Sequence, residues 1–118
     1  PNYGMAYINK ACTLSALKRY QEAIDTYEKT HGLDDFITDA AIVEADYFRG
    51  LALTELGRYQ EAIEAYNFAI VHNNYYNTLE PFNLAPVYRS KGIALEHLGR
   101  KREAQQAHAK AQELGYRD

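Results

Sequence analysis

Apolar side chains recur along this chain at the spacing of helix faces, and the pattern is written three times. From Tyr7, Asp46 and Tyr88 onward, three stretches align without a gap. Each is an apolar-periodic run of about four turns, a short break, and a second run of similar length. In the middle copy, Leu51, Leu53 and Leu56 precede a break at Gly57. Ala62, Ile63, Tyr66, Ala69 and Ile70 follow it, with the i, i+3, i+4, i+7, i+8 spacing of an amphipathic helix. The breaks carry stop signals: Gly57 and Gly99 sit where a left-handed C-terminal cap is wanted, and Gly32 and Gly115 close the second helices of copies one and three. Copy one has Lys18 at the equivalent turn, which predicts a less stable cap. The hexapeptide RYQEAI follows the break at Arg19–Ile24 and Arg58–Ile63, with a frayed third version, RKREAQ, at Arg100–Gln105.

Each unit therefore reads as a helix–turn–helix hairpin. Small residues stand where its helices must touch: Ala11 with Ala23, Gly50 with Ala62, Gly92 with Ala104. One hairpin cannot bury its apolar face alone, so three copies must stack. The expectation is an all-α, right-handed α-solenoid of six helices near 3–17, 20–31, 38–56, 59–72, 83–98 and 101–114, with no sheet. It forms one domain over 1–118, with repeats near 3–35, 38–74 and 83–116. Thr38 and Asn83 are suited to cap the third and fifth helices, with Ile37–Ile42 and Phe82–Val87 as staples and Pro86 inside a first turn. Two prolines and several asparagines predict a loop over 73–82, where Tyr75, Tyr76 and Phe82 would roof the underlying helices.

These positions resemble the tetratricopeptide repeat, whose pattern is a leading aromatic, Leu-Gly, Tyr, then Ala and a late aromatic, on a 34-residue period. Copy one resembles it through Tyr7, Ala11, Leu14, Ala23 and Tyr27, copy two through Gly50, Leu53, Ala62 and Tyr66, and copy three through Tyr88, Gly92, Leu95 and Ala104. The departures are equally specific. Asp46 takes the leading aromatic position, His108 the late one, and the periods are 39 and 42. The resemblance implies a concave groove lined by the first helix of each repeat. That places Met5, Ile8, Asn9 and Cys12 there from copy one, Glu44, Tyr47, Phe48, Leu51 and Glu55 from copy two, and Arg89, Ser90, Ile93, Glu96 and His97 from copy three. It also implies a test for chaperone-tail binding, which uses two Lys, two Asn and an Arg to hold a dicarboxylate. The matching positions are Ile8, Cys12, Phe48, Pro86 and Ser90, and none fits.

Composition adds little beyond exclusion. A hydrophobic share of 47% is ordinary for a globular chain, and no apolar run is long enough to span a membrane. The net charge of −3 argues against nucleic acid and is unevenly spread, since residues 31–80 carry nine acids against Arg49 and Arg58. His31, His72, His97 and His108 lack ligand spacing, the single Cys12 cannot close an internal disulfide, and no catalytic motif is present. The expectation is thus no enzyme, no cofactor and no metal, in a cytoplasmic protein. The chain starts at Pro1, as expected of a segment from a longer parent. Its expected role is to bind a peptide or amphipathic helix of another protein through Ile8, Asn9, Cys12, Glu44, Tyr47, Phe48, Leu51, Glu55, Arg89, Ile93 and His97. The alternatives are a self-assembling homodimer and a docking segment of a larger regulator or enzyme.

Overall fold

The computed structural model describes residues 3–29, 39–76 and 84–115. Six helices follow in order: α1 (Tyr3–Ala16), α2 (Tyr20–Lys29), α3 (Asp39–Glu55), α4 (Tyr59–Tyr76), α5 (Ala85–His97) and α6 (Lys101–Glu113). No strand occurs among the described residues. Consecutive helices pair as α1·α2, α3·α4 and α5·α6, and each hairpin packs on the next.

The break inside each hairpin is the same turn three times. Lys18, Gly57 and Gly99 have φ of 61°, 74° and 75°. Around the middle turn, Gly57 N–H donates to Thr54 O at 2.9 Å and Arg58 N–H to Leu53 O at 2.9 Å. The Lys18 and Gly99 turns repeat both bonds. This pair of bonds satisfies carbonyls that the helix end leaves open. Only a residue without Cβ enters that φ region without cost, so Lys18 is strained where Gly57 and Gly99 are not.

The repeated hexapeptide now has a physical reading. Its first residue ends the turn, and its carbonyl accepts the N–H of the alanine four residues on: Arg19 from Ala23, Arg58 from Ala62, Arg100 from Ala104. Its guanidinium forks onto the glutamate three residues on, with Nε–Oε1 distances of 2.8 Å for Arg19–Glu22, 2.8 Å for Arg58–Glu61 and 2.9 Å for Arg100–Glu103. The remaining nitrogen reaches back one repeat. Arg58 Nη1 donates to Gln21 Oε1 at 2.7 Å, and Arg100 Nη1 to Gln60 Oε1 at 3.2 Å. Gln21 and Gln60 are the same letter of the word, so the word encodes an inter-repeat ladder.

Inside each hairpin the small positions are enclosed, with Ala11, Ala23, Ala62 and Ala104 buried. A Cβ on Gly50 would strike the Tyr66 ring, and one on Gly92 would fall 2.8 Å from the His108 ring. The late aromatic of the repeat therefore occupies the space that the small residue leaves. Its polar end is tied across the hairpin to a residue twelve or fifteen positions earlier. Tyr66 Oη lies 2.9 Å from Thr54 Oγ1, Tyr27 Oη lies 3.4 Å from Cys12 Sγ, and His108 Nε2 lies 2.8 Å from Glu96 Oε1. His108 thus keeps the late aromatic's place and its tether, with the acceptor changed from Thr54 to Glu96.

Two expectations shift. Helix α4 runs to Tyr76, so the loop foreseen from Asn73 begins later, and Asn73 itself is buried. Helix α5 starts at Ala85 with Leu84 at the N-cap and no side-chain cap bond, while Pro86 lies in its first turn as read. Thr38, Asn83, Ile37, Phe82 and His31 lie outside the described residues, as do the side chains of Met5, Tyr75 and Tyr76. The other departure, Asp46, is fully buried, and its Oδ2 lies 2.6 Å from His72 Nδ1 on α4. A carboxylate replaces the leading aromatic because the partner helix supplies a polar ring to meet it.

Candidate partner-binding groove

The first helices α1, α3 and α5 touch one another in succession along one side of the stack. Between repeats one and two it opens into a cavity of about 370 Å³ lined by Cys12, Ser15, Tyr20, Tyr27, Phe48, Leu51, Ala52 and Glu55. Four of these, Cys12, Phe48, Leu51 and Glu55, were expected on the groove from sequence. Ser15, Tyr20, Tyr27 and Ala52 were not. Tyr20 and Tyr27 belong to the second helix, and their rings form the floor that a first-helix rule overlooks. The signal was present, because Tyr20 is the second letter of the repeated word.

The adjacent aromatics of α3 divide their work. Phe48 packs on the first-repeat cluster of Ile8, Ala11, Leu14, Ala23 and Tyr27. Tyr47 packs on the larger cluster of the second and third repeats, with its ring 6.0 Å from that of Tyr66. Successive positions on a helix point about 100° apart, so one ring serves each neighbouring core. Both stay half-buried.

The remaining expected residues scatter. Ile8 is a correction: it is 5% exposed in the first-repeat cluster and offers no surface to a partner. It shares that cluster with Ala23 and Tyr27 of α2 and Ala41 and Ala45 of α3, where apolar burial is favoured. Asn9 and Glu44 are exposed, while Arg89 and Ile93 are half-buried, and none of the four lines the cavity. His97 stacks flat on the Tyr59 ring at 4.3 Å with 2° between planes. This pair explains why the second junction differs from the first. His97 and Tyr59 are the repeat equivalents of Glu55 and Tyr20. Where the first junction lines a hollow with a carboxylate and a tyrosine, the second sets two rings in contact.

The cavity is apolar with one charged rim residue. The Tyr27 hydroxyl is held well above the usual tyrosine range, first by burial and then by its bond to Cys12. Tyr66 is likewise pushed up to about 12 by burial. Both phenols are therefore neutral donors near neutral pH, and the charge at the mouth is that of Glu55. Such a site can bury one bulky apolar side chain and pair a neighbouring cation. Among the described residues, no group of three or more His, Cys, Asp and Glu side chains could hold a metal, and no helix is long and apolar enough to cross a membrane.

The tetratricopeptide repeat family model matches residues 6–30 and 44–70. No curated protein matches the chain. Among solved structures, it resembles MamA with a TM-score of 0.77 and 27% identity over 94% of its length. The chain spans 57% of that MamA chain. A point mutant of MamA gives a TM-score of 0.75 at 23% identity, covering 99% of this chain and 76% of the other. The second TPR of Spaghetti (RPAP3), solved with an HSP90 peptide, gives 0.74 at 20% identity, covering 94% and 91%. Tetratricopeptide repeats are thus matched at 6–30 and 44–70, a third hairpin built alike follows at 85–113, and the fold is that of these solved tetratricopeptide-repeat structures.

Proposed function

We propose that this protein is an interaction module that holds an amphipathic segment of a partner protein in its concave groove. The observation that carries the reading is the cavity between repeats one and two, where Cys12, Phe48, Leu51 and Glu55 meet the Tyr20 and Tyr27 rings. An apolar anchor from the partner fills this cavity, and a Lys or Arg beside it pairs with Glu55. Glu44 extends the acidic stretch along α3, and Arg89 on α5 favours an acidic residue at the far end. The apolar anchor supplies most of the affinity, and the charges set orientation and on-rate. Affinity is expected on the order of micromolar, about −8 kcal/mol.

The RPAP3 repeat is seen with the HSP90 peptide SRMEEVD, in which acids outnumber bases. This chain is read differently. Ile8, Cys12, Phe48, Pro86 and Ser90 stand at the positions that would grip an acidic tail, and none is a Lys, Arg or Asn. The expected ligand is therefore apolar and basic rather than acidic.

Peptides selected against the protein from a random helical library test this. They should carry one bulky apolar residue beside a Lys or Arg, and their chemical-shift footprint should centre on Cys12, Phe48 and Leu51. Phe48→Ala should weaken them by at least about fivefold, near 1 kcal/mol. Alkylation of Cys12 should be slowed by bound peptide. Footprints confined to the outer faces of α2, α4 and α6 would sink the groove reading.

A further inference from the structure

The second repeat also differs from its neighbours on the outer side of the stack. Position 68 on α4 is Phe where repeats one and three have Lys29 and Lys110, and Val71 stands where they have Gly32 and Glu113. The in-phase copies act as an internal comparison: the fold tolerates a polar residue or glycine at these places, yet repeat two makes both apolar. Phe68 is 49% exposed and Val71 58%, one turn apart on the same helix face. Scattered surface apolar residues are ordinary, but an adjoining pair beside shaped hollows marks a contact site.

Two hollows flank Phe68. One, of about 280 Å³, is lined by Glu64, Asn67, Phe68 and Val71. The other, of about 320 Å³, is lined by Glu28, Arg49, Phe68 and His72. Arg49 lies 5.9 Å from the Phe68 ring centre and 3.8 Å from Glu28, with only 15% of its side chain exposed, so its charge is spent within the fold. The acids are more open. Glu28 keeps 55% of its side chain exposed, Glu64 is exposed, and Asp25 joins Glu28 in acting on the Arg58 guanidinium across the α2–α4 side.

We propose that this outer face of repeat two is a second docking site, separate from the groove, for a basic amphipathic helix of a partner protein. Two apolar side chains one turn apart would enter the two hollows, and Lys or Arg on either side would meet Glu28 and Glu64. The acidic border selects this occupant. It repels nucleic acid and anionic lipid surfaces. It also opposes a second copy, because a two-fold contact places the same patch against itself and sets Glu28 and Glu64 against like charges.

The test uses the whole chain and a stapled helical peptide with Leu and Phe three residues apart, flanked by lysines, together with a twin carrying glutamates for the lysines. Saturable amide shifts are expected at Glu64, Asn67, Phe68 and Val71 with the basic peptide and not with the acidic one. Phe68→Lys, which restores the residue type of the other repeats, should weaken the binding read at these four amides by about tenfold or more. Val71→Glu provides a second variant if Phe68→Lys disturbs Arg49. Shifts confined to Cys12, Phe48, Leu51 and Glu55 would overturn the outer site while leaving the groove reading intact. No saturable binding, or equal binding of both peptides, would also overturn it. So would a dimer, seen by light scattering, that Phe68→Lys dissociates.

Discussion

Single residues in this fold are legible because each has two in-phase counterparts. Lys18 sits at φ 61° where its equivalents are Gly57 and Gly99. A side chain in that region costs roughly 1 kcal/mol, partly offset by the freedom glycine adds to the unfolded chain. Lys18→Gly should therefore raise the urea midpoint by the equivalent of about 0.5–1 kcal/mol, while Gly57→Lys should lower it by a similar amount. Opposite signs for these two substitutions are the outcome to check. The small interhelical positions give a second contrast. Ala62 has no exposure, whereas Ala107 borders a hollow of about 160 Å³ with Tyr88, Lys91 and Leu95. Ala62→Leu has no space to enter and should cost about 1–3 kcal/mol by overpacking. Ala107→Leu can grow into the hollow and should cost less, which denaturant titration of the two variants will show. Equal midpoints would refute the pairing of Gly50 with Ala62.

At the scale of elements, the arginine–glutamine ladder fixes how one hairpin sits on the next. Arg58 and Arg100 each hold their own glutamate and the glutamine of the preceding repeat. These groups are solvent-exposed, so each rung contributes modestly and is weakened by salt. A double-mutant cycle between Gln21→Ala and Arg58→Ala should show coupling at low ionic strength that fades at high ionic strength. The ladder also has a direction. The third word replaces glutamine by Arg102, which can accept nothing from an arginine. A second copy stacked head to tail would set Arg19 against Arg102, so light scattering should find no chain of end-joined copies. How far the sequence foretold all this follows from the same period. Six helices, three turns and the small pairs were readable because periodicity and left-handed caps are local signals repeated in phase. Four of the eleven residues expected on a groove meet in the cavity for the same reason: the first-helix face is a helical spacing. What stayed hidden depends on contacts between repeats. Ile8 is buried by the neighbouring helix. Tyr20 and Tyr27 line the cavity from the second helix, and His97 stacks on Tyr59. Glu55→His tests that last contrast. It should stack on Tyr20, close the first cavity and abolish groove binding while leaving the helical circular dichroism signal unchanged.

For the whole molecule, the buried tyrosines that bind helix to helix in repeats one and two set a limit on alkaline stability. Tyr66 is fully buried and pushed up to about 12, first by burial, and Tyr27 is raised further in the same direction. An unfolded tyrosine titrates near pH 10. A folded value above the unfolded one means that the native state holds its proton more tightly. The stability this lends is fully present below about pH 10 and is lost as pH rises through 10 toward 12. For Tyr66 the shift corresponds to about 2–3 kcal/mol at the upper end of that window. Lys91 runs the other way: burial lowers it, so its cost to the native state fades as pH climbs toward its unfolded value. In repeat three the late aromatic is His108, which has no phenol to ionise, so the alkaline weakness belongs to the first two hairpins. Thermal midpoints should thus hold up to about pH 10 and fall steeply above it, with tyrosinate absorbance from the buried pair appearing only as helix is lost. Tyr66→Phe sacrifices the bond to Thr54 and should start from a lower midpoint, but its decline above about pH 10 should be shallower because one titrating phenol is gone. A Tyr66→Phe profile parallel to the parent's across this window would show that the alkaline loss is not seated in the tyrosine that locks the second hairpin.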